Sequence, residues 1–143
     1  MPGRLLKLLI VLGLAALAAA CHRGSDEEQV RQAIAATQSA VEAGKAGDTV
    51  AALTDDFDGN GGELDRRRLE GMVRLAGLRG AHLGVTMGPV AVDRRGDRLV
   101  ATFTVTLTSG TGLIPDEGAI YHVETAWRRE GSRWVCYSAT WSR

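Results

Sequence analysis

Leu99-Val100-Ala101-Thr102-Phe103-Thr104-Val105-Thr106-Leu107-Thr108 puts an apolar side chain at every second position. Leu99, Ala101, Phe103, Val105 and Leu107 form one row, and Val100 with four threonines forms the other. A period of two with one apolar face is the pattern of a half-buried antiparallel strand. The same period appears on both sides. Upstream, Leu83, Val85 and Met87 alternate with His82, Gly84 and Thr86, and Val90 and Val92 then continue out of phase. Gly88-Pro89 sits at the phase break, where a bulge or bend restores one apolar face. Downstream, Tyr121, Val123, Thr125 and Trp127 alternate with Ile120, His122, Glu124 and Ala126. In the last run Val135, Tyr137, Ala139 and Trp141 alternate with Trp134, Cys136, Ser138 and Thr140. Arg95-Gly96-Asp97 and Glu130-Gly131-Ser132 are tight-turn sequences that join the runs as two hairpins, with a looser loop from Ser109 to Gly118 between them. The expectation is one four-stranded antiparallel sheet.

Helices are expected before it. Ser25-Asp26-Glu27-Glu28 has the spacing of a capping box and an acidic first turn, which suits the positive end of a helix. Val30, Ala33, Ile34, Thr37 and Val41 then recur at helical spacing until Gly44 offers a stop. Asp48 is placed to cap a short helix through Val50-Ala51-Ala52-Leu53. A third helix is predicted from about Glu63 to Leu78, with Leu69, Met72, Val73 and Ala76 on one side. Helices followed by strands define an α+β domain.

The first twenty residues read as a secretion signal. Arg4 and Lys7 supply positive charge, Leu8 to Leu17 is apolar, and Ala18-Ala19-Ala20 leads into Cys21. The apolar run is shorter than the roughly 20 residues that span a bilayer. Leu17-Ala18-Ala19-Ala20-Cys21 resembles the lipobox of bacterial lipoproteins. That resemblance implies diacylglycerol on the Cys21 thiol, cleavage before it and acylation of the new amine with a chain such as palmitate. The absence of aspartate after Cys21 implies the outer membrane, facing the periplasm. The other reading is an ordinary secretory signal. The division is then signal peptide 1–20, lipid-anchored tether 21–25 and one domain over 26–143. The chain has 143 residues with 17 basic and 17 acidic side chains, so roughly 120 residues remain for a single core. That charge balance argues against nucleic acid as a partner.

The passage from Glu42 through Gly44, Gly47-Asp48 and Val50-Ala51-Ala52-Leu53 to Asp55-Asp56-Phe57 resembles nuclear transport factor 2-like proteins, as does the closing hairpin Trp127-Arg128-Arg129-Glu130-Gly131-Ser132-Arg133-Trp134. The resemblance runs along nearly the whole mature chain. It implies a cone, in which a strongly curved antiparallel sheet wraps around the helices, often with a pocket at the open end and often dimeric through the sheet. It does not imply a reaction, because this fold carries isomerases, dehydratases, cyclases and binding domains.

Catalytic members of that superfamily generally use an aspartate or histidine in an apolar pocket. The candidates here are Asp55, Asp56, His82, His122 and Glu124. His122 and Glu124 share a strand face and can form an imidazole–carboxylate pair, but the opposite face, with Tyr121, Val123 and Trp127, makes the better core. Asp55 and Asp56 are expected at a helix-to-strand corner as backbone caps. Asp56, Asp58 and Asn60, followed by Gly61, match the opening of a calcium loop, yet Arg67 stands where the closing glutamate belongs. An acidic, glycine-rich turn is the alternative. Arg66-Arg67-Arg68, Arg74 and Arg79 interleave with Glu63, Asp65 and Glu70, as on a solvated helix face. Cys136 has no activating neighbour in sequence and reads as structural. No cofactor motif is present. The reading is a membrane-anchored, non-catalytic domain for a small apolar ligand or an envelope protein, with homodimerisation through the sheet. The alternative is an isomerase- or cyclase-type enzyme.

Overall fold

Ser25 opens the first helix by accepting a hydrogen bond from the Glu28 amide at 3.2 Å. This helix, α1, runs Asp26–Glu42 and buries Val30, Ile34 and Ala40. The computed structural model describes residues 24–110 and 117–143. Cys21 and the leader lie outside the described residues. The elements after α1 are α2 (Ala46–Thr49), β1 (Leu53–Gly59), β2 (Leu64–Asp65), α3 (Arg66–Leu78), β3 (His82–Met87), β4 (Ala91–Arg95), β5 (Arg98–Gly110), β6 (Glu117–Glu130) and β7 (Arg133–Ser142).

The strands form one curled, unclosed sheet in the order β2-β1-β7-β6-β5-β3, with β4 also pairing β5. The helices pack against it, giving the expected α+β architecture. All four strands read from the sequence are present, and the first is divided into β3 and β4. Met87 pairs with Val105 and Ala91 with Thr102, so one extra residue is accommodated across Gly88, Pro89 and Val90. The Gly88 amide still reaches the Thr104 carbonyl at 3.0 Å. This bend keeps Val85, Met87 and Val92 on one face, as the phase break required.

The sheet also has members that the alternation did not reveal. Val50-Ala51-Ala52-Leu53 is not the short helix. Lys45 precedes the helix Ala46–Thr49 instead, and by Leu53 the chain has entered β1. There β1 runs parallel to β7, with the Cys136 amide donating to the Ala52 carbonyl at 2.8 Å. Asp55 and Asp56 are therefore strand residues and not corner caps. The third helix starts at Arg66, later than Glu63, because the Asp65 side chain accepts from the Arg68 amide at 2.7 Å and caps it.

The last strand corrects the sequence reading most. Trp127 pairs with Cys136 and Ala126 with Ser138, which leaves Tyr137 as an extra residue, a β-bulge. Before the bulge Trp134 and Cys136 face the core. After it Ala139 does. A strict period of two across Tyr137 would send Trp134 and Cys136 outward, and both are buried. The core joins Val30, Ile34, Phe57, Leu99, Ala101, Trp127, Trp134, Cys136 and Ala139.

Asp26 ties the start of α1 to the sheet. Its carboxylate accepts from Trp134 Nε1 at 3.1 Å, Arg129 at 2.6 Å and Arg94 at 2.8 Å, while both guanidinium groups lie over the Trp134 ring. The Trp134 N–H, then Arg94 and Arg129, hold this carboxyl below its ordinary 3.8. A depressed carboxyl favours folding above its unfolded-state pKa, and that contribution is lost as pH falls through the folded value. Asp26→Asn should therefore lower the melting temperature at pH 7 and flatten the loss of stability below about pH 4. Thermal melts of both proteins across acid pH measure this. Leu99 has no exposed surface, so Leu99→Ala should cost about 3 kcal/mol, read as a lower urea midpoint at unchanged m-value.

Candidate functional site

Between the helices and the inner face of the sheet lies a cavity of about 600 Å³. One wall comes from α1, through Ile34, Thr37 and Val41, and from α3, through Leu69, Met72, Val73 and Ala76. These α3 residues are the apolar side predicted from sequence. The opposing wall is the inward row of β3, β5 and β6, with Phe57, Trp127 and Cys136 buried at the deep end. Met72 and Leu107, both more than a third exposed, mark the open end.

The edge of the sheet beside this cavity is sealed by α1 side chains. Gln38 donates to the Val85 carbonyl at 2.7 Å, and Glu42 accepts from the Val85 amide at 3.1 Å. Arg31 donates to the Val90 carbonyl at 3.1 Å across the β3–β4 bend. An edge strand leaves alternate N–H and C=O groups unpaired, and here the helix supplies their partners.

The polar atoms at the deep end satisfy one another. Trp127 Nε1 donates to Thr125 Oγ1 at 2.8 Å, and Thr125 donates to the Ala101 carbonyl at 3.4 Å. The Cys136 thiol donates to the Ser138 carbonyl at 3.4 Å. Burial pushes that thiol up to about 12, so at neutral pH it carries its proton and is a poor nucleophile. Arg143 is the one charged side chain among the described residues that line the cavity, and it stands with Tyr121.

None of the acid–base candidates lines this cavity. Asp55 is fully exposed and pairs with Arg66 at 3.2 Å. Asp56 meets the Arg128 guanidinium at 3.0 and 3.3 Å. His82 is exposed in β3. His122 and Glu124 lie on the outer face of the sheet, in a shallow depression with Pro89, Thr102, Thr104 and Thr140. They sit side by side in register with threonine and serine neighbours: His122 opposes Thr104 and Ser142, and Glu124 opposes Thr102 and Thr140.

The Asp56–Gly61 segment forms the end of β1 and its turn into β2. The Asp58 carboxylate accepts from the Gly62 amide at 2.6 Å. Asn60, at a positive φ of 54°, accepts from the Trp141 amide at 3.0 Å and donates to Glu63 at 3.1 Å. These oxygens serve the turn. Among the described residues no group of three or more His, Cys, Asp or Glu side chains is arranged to hold a metal ion. No described helix is long and apolar enough to cross a membrane.

Helices held in a curled, largely antiparallel sheet around an apolar cavity define a nuclear transport factor 2-like fold. Solved structures with this architecture include an NTF2-like dehydratase candidate from Streptomyces avermitilis, at TM-score 0.67 and 20% identity over 82% of this chain and 95% of the other. Aln2 from another Streptomyces superposes at TM-score 0.67 and 16% identity, covering 80% of this chain and 88% of that one. An NTF2-like protein from Cytophaga hutchinsonii gives 0.66 and 10% identity, covering 83% and 98%. At these identities the likeness establishes the fold. No protein-family model and no curated protein matches the chain by sequence.

Sequence reasoning did not find the Arg143–Tyr121 pair, because the two residues are 22 positions apart and neither belongs to a motif. The state of Cys136 is checked with a thiol reagent. In the Cys21→Ser chain, dithionitrobenzoate at pH 8 should leave the native protein unlabelled and titrate one thiol once urea unfolds it.

Proposed function

We propose that this chain is a lipid-anchored protein of the cell envelope whose domain binds a small apolar ligand without transforming it. The observation that carries the binding half is the cavity of about 600 Å³. That volume lies within the range of small-molecule sites, roughly 300 to 1,000 Å³. Its described lining is mostly aliphatic and aromatic, with Thr37, Gln38, Thr108, Ser109 and Thr125 among its polar members, and Asp55, Asp56, His82, His122 and Glu124 all lie elsewhere. Proton transfer needs an acid or base within hydrogen-bond reach of the substrate. The described lining offers instead hydroxyls, the Gln38 amide, a protonated thiol, a phenol and a guanidinium, of which the guanidinium holds its proton permanently.

The anchoring half rests on Leu17-Ala18-Ala19-Ala20-Cys21 and the charged, then apolar, leader before it. Acyl chains on Cys21, each contributing about 0.8 kcal/mol per buried methylene, hold such a protein at the outer membrane facing the periplasm. The likeness to a dehydratase candidate keeps one further reading, an isomerase-, cyclase- or dehydratase-type enzyme of the same fold. Dimerisation through the outer sheet face belongs to the same proposal.

Two measurements test it. In cell fractionation the wild-type chain should remain with membranes, and Cys21→Ser should appear in the soluble periplasmic fraction. Native mass spectrometry of the Cys21→Ser chain should show a small organic mass on the protein. Ala76→Phe, which fills space in the cavity wall, should reduce that bound fraction at least about tenfold, the cost of roughly 1.4 kcal/mol of lost contact and steric conflict. A Cys21→Ser chain that stays with membranes, or an adduct indifferent to Ala76→Phe, argues against the corresponding half.

A further inference from the structure

Among the described residues, the cavity carries a charged side chain only at its rim, Arg143. Deep inside, Trp127, Thr125 and Cys136 direct their hydrogen bonds at one another and at backbone carbonyls, so this end offers a ligand apolar contact. At the rim the Arg143 guanidinium lies 5.6 Å from the centroid of the Tyr121 ring and donates to its hydroxyl at 3.4 Å. A phenol that accepts from a guanidinium keeps its own proton to donate. The guanidinium presents several more N–H groups in a planar fork that matches a carboxylate. Stacking on the ring steers this fork while leaving it exposed to solvent.

We infer that the ligand is an amphiphile with an apolar body and a single anionic head, such as an acyl carboxylate. Its chain enters between α1, α3 and the sheet, and its head is held at the rim by Arg143 and the Tyr121 hydroxyl. This inference rests on the proposed apolar-ligand site and adds the chemical class and the polarity of binding. A head pushed to the deep end would lose its hydration without finding a free donor there. At the rim it keeps water on one side and gains two fixed donors. Arg143 thus acts as a specificity residue that distinguishes charged from neutral amphiphiles of equal apolar surface.

The test compares dodecanoate with dodecan-1-ol, both below their aggregation limits, on the Cys21→Ser chain at pH 8 by titration calorimetry. Dodecanoate should bind about tenfold more tightly than the alcohol, a modest charge-assisted contact at an exposed rim. Shortening the acid to decanoate should cost about fifteenfold, from roughly fourfold per buried methylene. Arg143→Gln should bring dodecanoate down to the level of the alcohol and leave the alcohol unchanged, Arg143→Lys should restore part of the preference, and Tyr121→Phe should weaken the acid alone. Equal binding of acid and alcohol, unaltered by Arg143→Gln, overturns the inference and leaves the apolar-ligand reading standing. If neither amphiphile binds, both fall together.

Discussion

The β-bulge at Tyr137 is the constraint on which the rest of this architecture depends. By placing one unmatched residue between Cys136 and Ser138, it turns both halves of β7 toward the same core. Trp134 and Cys136 are thereby buried from one half, and Ala139 from the other. A bulge also bends its strand and raises the local twist. The bend lies beside the position where β1 joins β7 in parallel and where the Cys136 amide meets the Ala52 carbonyl. The displaced residue is used as well: the Arg128 guanidinium lies 5.5 Å from the Tyr137 ring centroid while it grips Asp56 in β1.

Curvature alone leaves a groove, and α1 makes it a cavity. Asp26 fastens the N-terminal end of the helix to Trp134, Arg129 and Arg94, on strands β7, β6 and β4. Gln38 and Glu42 fasten its C-terminal half to the Val85 backbone at the far edge of the sheet. Between these two attachments the helix presents Ile34, Thr37 and Val41 to the interior. The contrast of a self-satisfied deep end with a cationic rim follows from this closure. A polar group far from water costs free energy unless it has a partner, as Trp127 and Thr125 do, whereas a guanidinium remains where solvent still reaches it.

Much of the fold was legible because most of the sheet obeys a strict period. From Arg98 to Trp127 the inward and outward rows of β5 and β6 follow the alternation in the sequence, and the Gly88-Pro89 break repairs the phase as the apolar positions demanded. Leu69, Met72, Val73 and Ala76 also line the cavity, since helical spacing fixes which residues share a face. What escaped was non-local. β1 carries Thr54-Asp55-Asp56-Phe57-Asp58, with too few apolar residues to announce a strand, and it exists because β7 offers it a parallel partner. Tyr137 leaves no mark in the alternation, because Tyr and Val are equally at home on either side of a strand.

The sequence by itself determined the class: helices then strands, two tight hairpins and an apolar inner face. Each is a local property, set by side-chain period, turn residues or short-range composition. Only the tertiary structure decided which carboxylates are spent on ion pairs, that His122 and Glu124 lie outside the cavity, and that Arg143 meets Tyr121 at its rim. Those facts depend on strands brought together from distant parts of the chain and on one bulge that sets their faces. A linear pattern carries no information about which of two possible faces the fold encloses until the closing strand is in register.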